Sequence, residues 1–203
     1  PGNTCMNACA NMIRGKEVHN NSKGCGGIMR VAPMALLDAG YASRNENGYS
    51  IEELAEAGGE IAECTHKHPL GFLPASLLTV LLYKVVPMSV KQVQEEIDDI
   101  VIDTLNILNR IYKGKYESDK RYLKELTEMA LLLAHSNISD ADAIRQLGEG
   151  WVAEETWAIA LFCAIRHIDS VEDAINNDFD IFDAPRISQY GNSPFHKNPS
   201  DYK

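Results

Sequence analysis

The chain has 203 residues, 45% of them apolar and 24% charged, which is enough for one globular domain with a sizeable core. A formal charge of -10 argues against nucleic acid as a partner, since phosphate binding needs clustered Lys and Arg, and no apolar run is long enough to cross a bilayer. A small anionic ligand is still admissible, because Lys16, Lys23 and Arg30 gather in one short stretch.

In chain order, the first informative element is the string Gly24-Cys25-Gly26-Gly27. Three glycines in four positions are expected to turn with positive φ and to let the main chain approach a ligand closely. The apolar pattern that follows (Ile28, Val31, Met34, Ala35, Leu36) predicts a helix starting directly after Gly27. Amides at such a junction suit an anion. Ser50-Ile51-Glu52-Glu53 is a capping box, opening a helix that runs to about Thr65. The next helix is predicted over 74–82, opened by Pro74 and stopped by Pro87. Ser89 then caps a long amphipathic stretch over 90–111, with Val93, Ile97, Ile100, Val101, Leu105 and Leu108 at helical steps. Further helices are predicted over 119–135, 139–148 and 152–167, and Ser170 with Asp173 marks a short last one. Beyond Phe179, Pro185, Gly191, Pro194 and Pro199 stand among polar and aromatic residues. The expectation is one all-α domain over 1–183 and a loose tail over 184–203.

The five cysteines are an odd number, widely spread, and read as reduced thiols of a cytoplasmic protein. Cys64, His66 and His68 invite a zinc reading, as do Cys5 and Cys9 at helical spacing, but buried thiols are the ordinary account. Glu154 and Glu155 are adjacent acids whose side chains point about 100° apart on a helix, so they do not face one ligand together. Trp151 and Trp157 read as core residues.

Four stretches carry a further signal by occurring in this order: Pro1-Gly2-Asn3-Thr4-Cys5, the string from Ser22 to Pro33, Thr65-His66-Lys67-His68-Pro69-Leu70-Gly71, and Gly148-Glu149-Gly150-Trp151-Val152-Ala153-Glu154-Glu155-Thr156. Together they closely resemble the ADP-ribosylglycohydrolase family, which includes dinitrogenase reductase-activating glycohydrolase. The resemblance implies an all-α orthogonal bundle with its active site in a cleft between helices. It implies hydrolysis of the glycosidic bond between ADP-ribose and a protein side chain or small acceptor, assisted by two magnesium or manganese ions. Carried over by position, Ser22, Lys23, Gly24, Cys25 and Gly26 would hold the diphosphate, Ser22 and Gly24 foremost, with Lys23 adding charge at the rim. His66 would hydrogen-bond the ligand near the reacting ribose. Gly2, Asn3 and Thr4 would form another loop lining the cleft, and Glu155 would cap or brace the start of its helix.

The same resemblance predicts where the chain departs from the family. The family's metal ligands come from an upstream Asp-Asp-Thr motif and a late acidic segment. The chain opens at Pro1, and the late segment reads Asn177-Asp178-Phe179-Asp180-Ile181-Phe182-Asp183, so Asp180 falls on the first ligand position and Phe182 replaces the second aspartate. The expectation is a truncated family member that keeps the ligand loop, with impaired hydrolysis and Asp180 as its remaining metal ligand. The alternatives are a non-catalytic ADP-ribose or nucleotide-binding module and a remnant helical scaffold.

Overall fold

The computed structural model describes residues 2–41, 49–170 and 173–175. Its helices are α1 (Asn3–Ile13), α2 (Ala32–Tyr41), α3 (Ile51–Glu63), α4 (Pro69–Val85), α5 (Val90–Ile111), α6 (Glu117–Ala134), α7 (Asp140–Leu147) and α8 (Ala153–Arg166), with a single 3-10 turn, Ile28–Arg30, ahead of α2. The described residues hold no strand beyond one isolated antiparallel bridge between Gly24 and Val152, so the fold is all-α. No described helix is long and apolar enough to cross a membrane. The tail over 184–203 and Asp180 lie outside the described residues.

Local chemistry sets the helix starts. Ser50 Oγ accepts from Glu53 N at 3.2 Å while the Glu53 carboxylate accepts from Ser50 N at 2.7 Å. Ser89 and Gln92 repeat the same exchange at the head of α5, and Ser139 caps α7. The predicted start of α4 at Pro74 is wrong by five residues. His68 is the cap, its Nδ1 accepting from Leu70 N at 3.0 Å, and Pro69 takes the first helical position, where a missing N–H costs nothing. Pro74 sits inside the helix, and burial of the surrounding residues offsets the donor it lacks. Two further expectations change. The segment after Gly27 makes one 3-10 turn before α2 begins at Ala32, and residues 3–13, read as a loop at their start, form α1.

The core is organised around α4, which is buried over most of its length and packs against α2, α3, α5, α6, α8 and the 3-10 turn. Leu73 and Leu77 are fully buried, each contributing about 1.5–3 kcal/mol. Close approach of α3 is secured by Gly59, where a Cβ would stand 2.5 Å from both Ser76 Oγ and Tyr112 Oη. On the other side α8 packs on α6, and the buried Trp157 donates from Nε1 to Thr127 Oγ1 at 2.9 Å. Trp151 is not core as expected. It lies 71% exposed on the loop before α8, because Gly148 and Gly150 turn with positive φ there. Of the five cysteines only Cys163 is buried, and none of the five is in a disulfide. This packing holds two places firmly: the corner between α3 and α4, and the N-terminus of α8.

Candidate ligand-binding site

The site grows from the α3–α4 corner. His66 is 2% exposed there, and the loop over residues 20–27 wraps directly over its ring. A Cβ on Gly24 would stand 3.3 Å from Nε2, one on Gly26 3.3 Å from Cε1 and 2.9 Å from Cys5 Sγ, and one on Gly27 3.4 Å from Nδ1. On the α4 side a Cβ on Gly71 would meet the Ser22 carbonyl at 2.6 Å and His66 Cβ at 3.0 Å. None of Gly24, Gly26 and Gly27 has positive φ, which overturns the first reason given for them. These glycines are needed for space around an imidazole, not for a left-handed turn.

Side chains stitch this loop in place. Asn20 Oδ1 accepts from Ser22 N at 3.0 Å and Lys67 N at 3.1 Å, and its Nδ2 donates to the Thr65 carbonyl at 2.9 Å. Ser22 Oγ accepts from Gly24 N at 3.2 Å and lies 3.2 Å from Thr4 Oγ1. Cys25 N donates to the Trp151 carbonyl at 3.2 Å and Ala153 N to the Lys23 carbonyl at 2.7 Å, which joins the loop to the head of α8. Lys23 is not a free rim charge, because its Nζ is paired with Glu154.

The sequence reading weighed Glu154 only as half of an acid pair and missed its burial and its pairing with Lys23. Its carboxylate is 1% exposed, with Oε1 on Lys23 and Oε2 buried without a partner among the described residues. Burial pushes its pKa up, and the hydrogen bond from Lys23 pulls the other way. The signal was present: Glu154 shares a helical face with Trp157, Ala158 and Leu161, all buried. Glu155 instead faces the loop before it, and its Oε2 accepts from Glu149 N and Gly150 N, each at 3.1 Å.

Beneath the glycine loop lies Arg30. Its Nη2 donates to the Ile61 carbonyl at 2.7 Å, the Ala62 carbonyl at 3.2 Å and Thr65 Oγ1 at 2.5 Å, while Nη1 donates to the Gly26 carbonyl at 3.4 Å. Every one of these partners is neutral, and no carboxylate among the described residues meets the guanidinium. Burial first, and Arg30 second, hold the His66 pKa below the usual histidine range, which favours the neutral ring. Among the described residues His66 Nε2 and the amides of Gly26 and Gly27 have no hydrogen-bond partner.

Gly2, Asn3 and Thr4 are brought to the same region on a helix instead of a loop: Gly2 caps α1, and Asn3 and Thr4 form its first turn. Asn3 and Thr4, with Asn7, Asn11 and Asn20, line a cavity of about 440 Å³, and Thr4 Oγ1 reaches Ser22 Oγ at 3.2 Å. A protein-family model described as ADP-ribosylglycohydrolase matches residues 1–178. The chain belongs to the ADP-ribosylglycohydrolase family. No curated protein and no solved structure matches it. The family is all-α, generally metal-dependent, and acts on ADP-ribosylated substrates. A hard divalent cation needs several oxygen ligands brought together, and the described residues of this family member contain no group of three or more His, Cys, Asp or Glu placed to hold one. The described residues therefore do not by themselves fit the ion.

Proposed function

We propose that this ADP-ribosylglycohydrolase-like chain holds ADP-ribose, with the diphosphate against Ser22, Gly24, Cys25 and Gly26 and an oxygen of the ligand on His66. The observation that carries the reading is the closure of the glycine loop over His66 with Arg30 behind it. Among the described residues Gly26 N, Gly27 N and His66 Nε2 have no hydrogen-bond partner, and no carboxylate meets the Arg30 guanidinium. An anion with several acceptor oxygens suits such donors, whereas a neutral ligand would leave the positive charge unanswered. Lys23 supports the loop from below through Glu154, and Gly2, Asn3 and Thr4 stand at the flank.

In the family reaction water replaces the acceptor on the ribose through an oxocarbenium-like state. The described residues supply holding and orientation for that reaction: amides for the diphosphate, and a neutral imidazole donor near the sugar. The missing cluster of metal ligands among them favours holding over cleavage as their share of the work, and magnesium or manganese, with Asp180 as a ligand, belongs to the catalytic reading. Five cysteines without a disulfide support placing the protein in a reducing, cytoplasmic compartment.

Calorimetry with ADP-ribose, first in chelator and then with Mg²⁺ or Mn²⁺, tests the reading alongside chromatography for ADP-ribose released from an ADP-ribosylated peptide. Saturable binding in chelator without release supports a holding module. Metal-dependent release supports the hydrolase. Absence of binding under every condition contradicts both.

A further inference from the structure

We propose that Arg30 and Thr65 are positioning residues that order the proton on His66, fixing its ring as the Nε2–H tautomer. Thr65 is buried, and its hydroxyl proton has two places to go: His66 Nδ1 at 2.8 Å or the Ala62 carbonyl at 3.4 Å. That carbonyl is already crowded. It accepts from Thr65 N at 3.2 Å and His66 N at 3.1 Å, which take both its lone pairs, and Arg30 Nη2 stands 3.2 Å away besides. Arg30 Nη2 also donates to Thr65 Oγ1 at 2.5 Å, which occupies one hydroxyl lone pair and polarises the O–H toward its own acceptor.

The hydroxyl proton therefore goes to Nδ1, and a neutral imidazole that accepts at Nδ1 carries its own proton on Nε2. Turning the ring over to exchange the two nitrogens is hindered, because the loop leaves no more room than a glycine needs: a Cβ at Gly24, Gly26 or Gly27 would already stand 3.3–3.4 Å from the ring. Protonation at both nitrogens is opposed by burial and by the adjacent guanidinium. The order of events is a relay, in which Arg30 donates to Thr65, Thr65 donates to His66, and His66 donates from Nε2 to an oxygen of the bound ligand. Only the last link rests on the ADP-ribose reading.

Long-range ¹H–¹⁵N correlation spectra of the labelled full chain test the relay without any ligand. The wild type should show His66 with Nε2 protonated and Nδ1 as a hydrogen-bonded acceptor. In Thr65→Val the Nδ1 resonance should shift as that bond is lost, and Thr65→Ser should restore it. A wild-type spectrum with the proton on Nδ1, or a Thr65→Val spectrum identical to wild type at His66, overturns the proposal. If Thr65→Val fails to fold, the wild-type spectrum alone decides. Calorimetry with ADP-ribose separates the two readings, with an expected loss of about tenfold in affinity for Thr65→Val and recovery in Thr65→Ser. Nε2–H without any ADP-ribose binding leaves the relay standing and removes the ligand. ADP-ribose binding with the proton on Nδ1 does the reverse.

Discussion

Two corners of the protein are closed by an arginine that gathers carbonyls at a helix end. Between α6 and α7, Arg166 donates to the carbonyls of Leu133, Ala134, Ser136 and Ile138, and Asp140 meets its charge at 3.1 Å. Between α3 and α4, Arg30 donates to the carbonyls of Ile61, Ala62 and Gly26 and to Thr65, and no carboxylate among the described residues answers it. The geometry is alike and the charge balance is not. At the α6–α7 corner the cation is neutralised inside the protein; at the corner that carries the glycine loop it is not, and under the ADP-ribose proposal that charge is assigned to the incoming diphosphate. In a chain of net charge -10 that exception is informative.

Arg166→Ala is the largest perturbation on this view. It strips several carbonyls of their donor and leaves Asp140 with less compensation, at a cost of about 3 kcal/mol in chemical denaturation. ADP-ribose affinity of the folded protein should not change; a parallel loss of affinity would break the distinction between the corners. Arg30→Ala should cost less stability, about 2 kcal/mol, yet weaken ADP-ribose at least tenfold. Equal affinity for this variant and wild type would show that the unanswered charge serves no ligand.

Lys23→Met sharpens the account through pH. Removing Nζ leaves Glu154 buried and unpaired, at about 2 kcal/mol near pH 7, a value reduced from that of a fully buried pair because Lys23 is part-exposed. Glu154 has a folded pKa above its unfolded one, so its contribution favours folding in acid and is lost as pH rises through the folded value. The gap between variant and wild type should therefore be small near pH 4.5 and widen toward pH 7 in denaturation series. A gap that widens toward acid would contradict the assignment of Glu154 as the affected group. Glu155→Ala should have the smallest effect, about 1 kcal/mol, from loss of the acceptor shared by Glu149 N and Gly150 N.

Much of the fold was legible because its signals are local. The capping boxes at Ser50 and Ser89 and the amphipathic run of α5 need only neighbouring residues to be recognised. The start of α4 was misread because Pro74 resembles a helix opening, while the true opening is the less familiar pair His68 and Pro69. Helix α1 escaped notice because its asparagines are weak helix formers and its start was taken for a cleft-lining loop. Within the site, the neighbourhood of the glycine loop and His66 came from the order of motifs, since no local pattern joins residues so far apart. The pairing of Lys23 with Glu154 spans 131 positions and that of Arg30 with Thr65 spans 35, and both depend on how α4 brings the corners together.

The most direct measurement is a titration of ¹⁵N-labelled protein with ADP-ribose in chelator, following every backbone amide. The largest shifts should fall on Gly24, Gly26 and Gly27, with His66 moving in step and the Arg166 corner unmoved. Shifts that leave residues 22–27 unchanged while others respond, or no response at millimolar ligand, would contradict the glycine loop as the seat of the diphosphate.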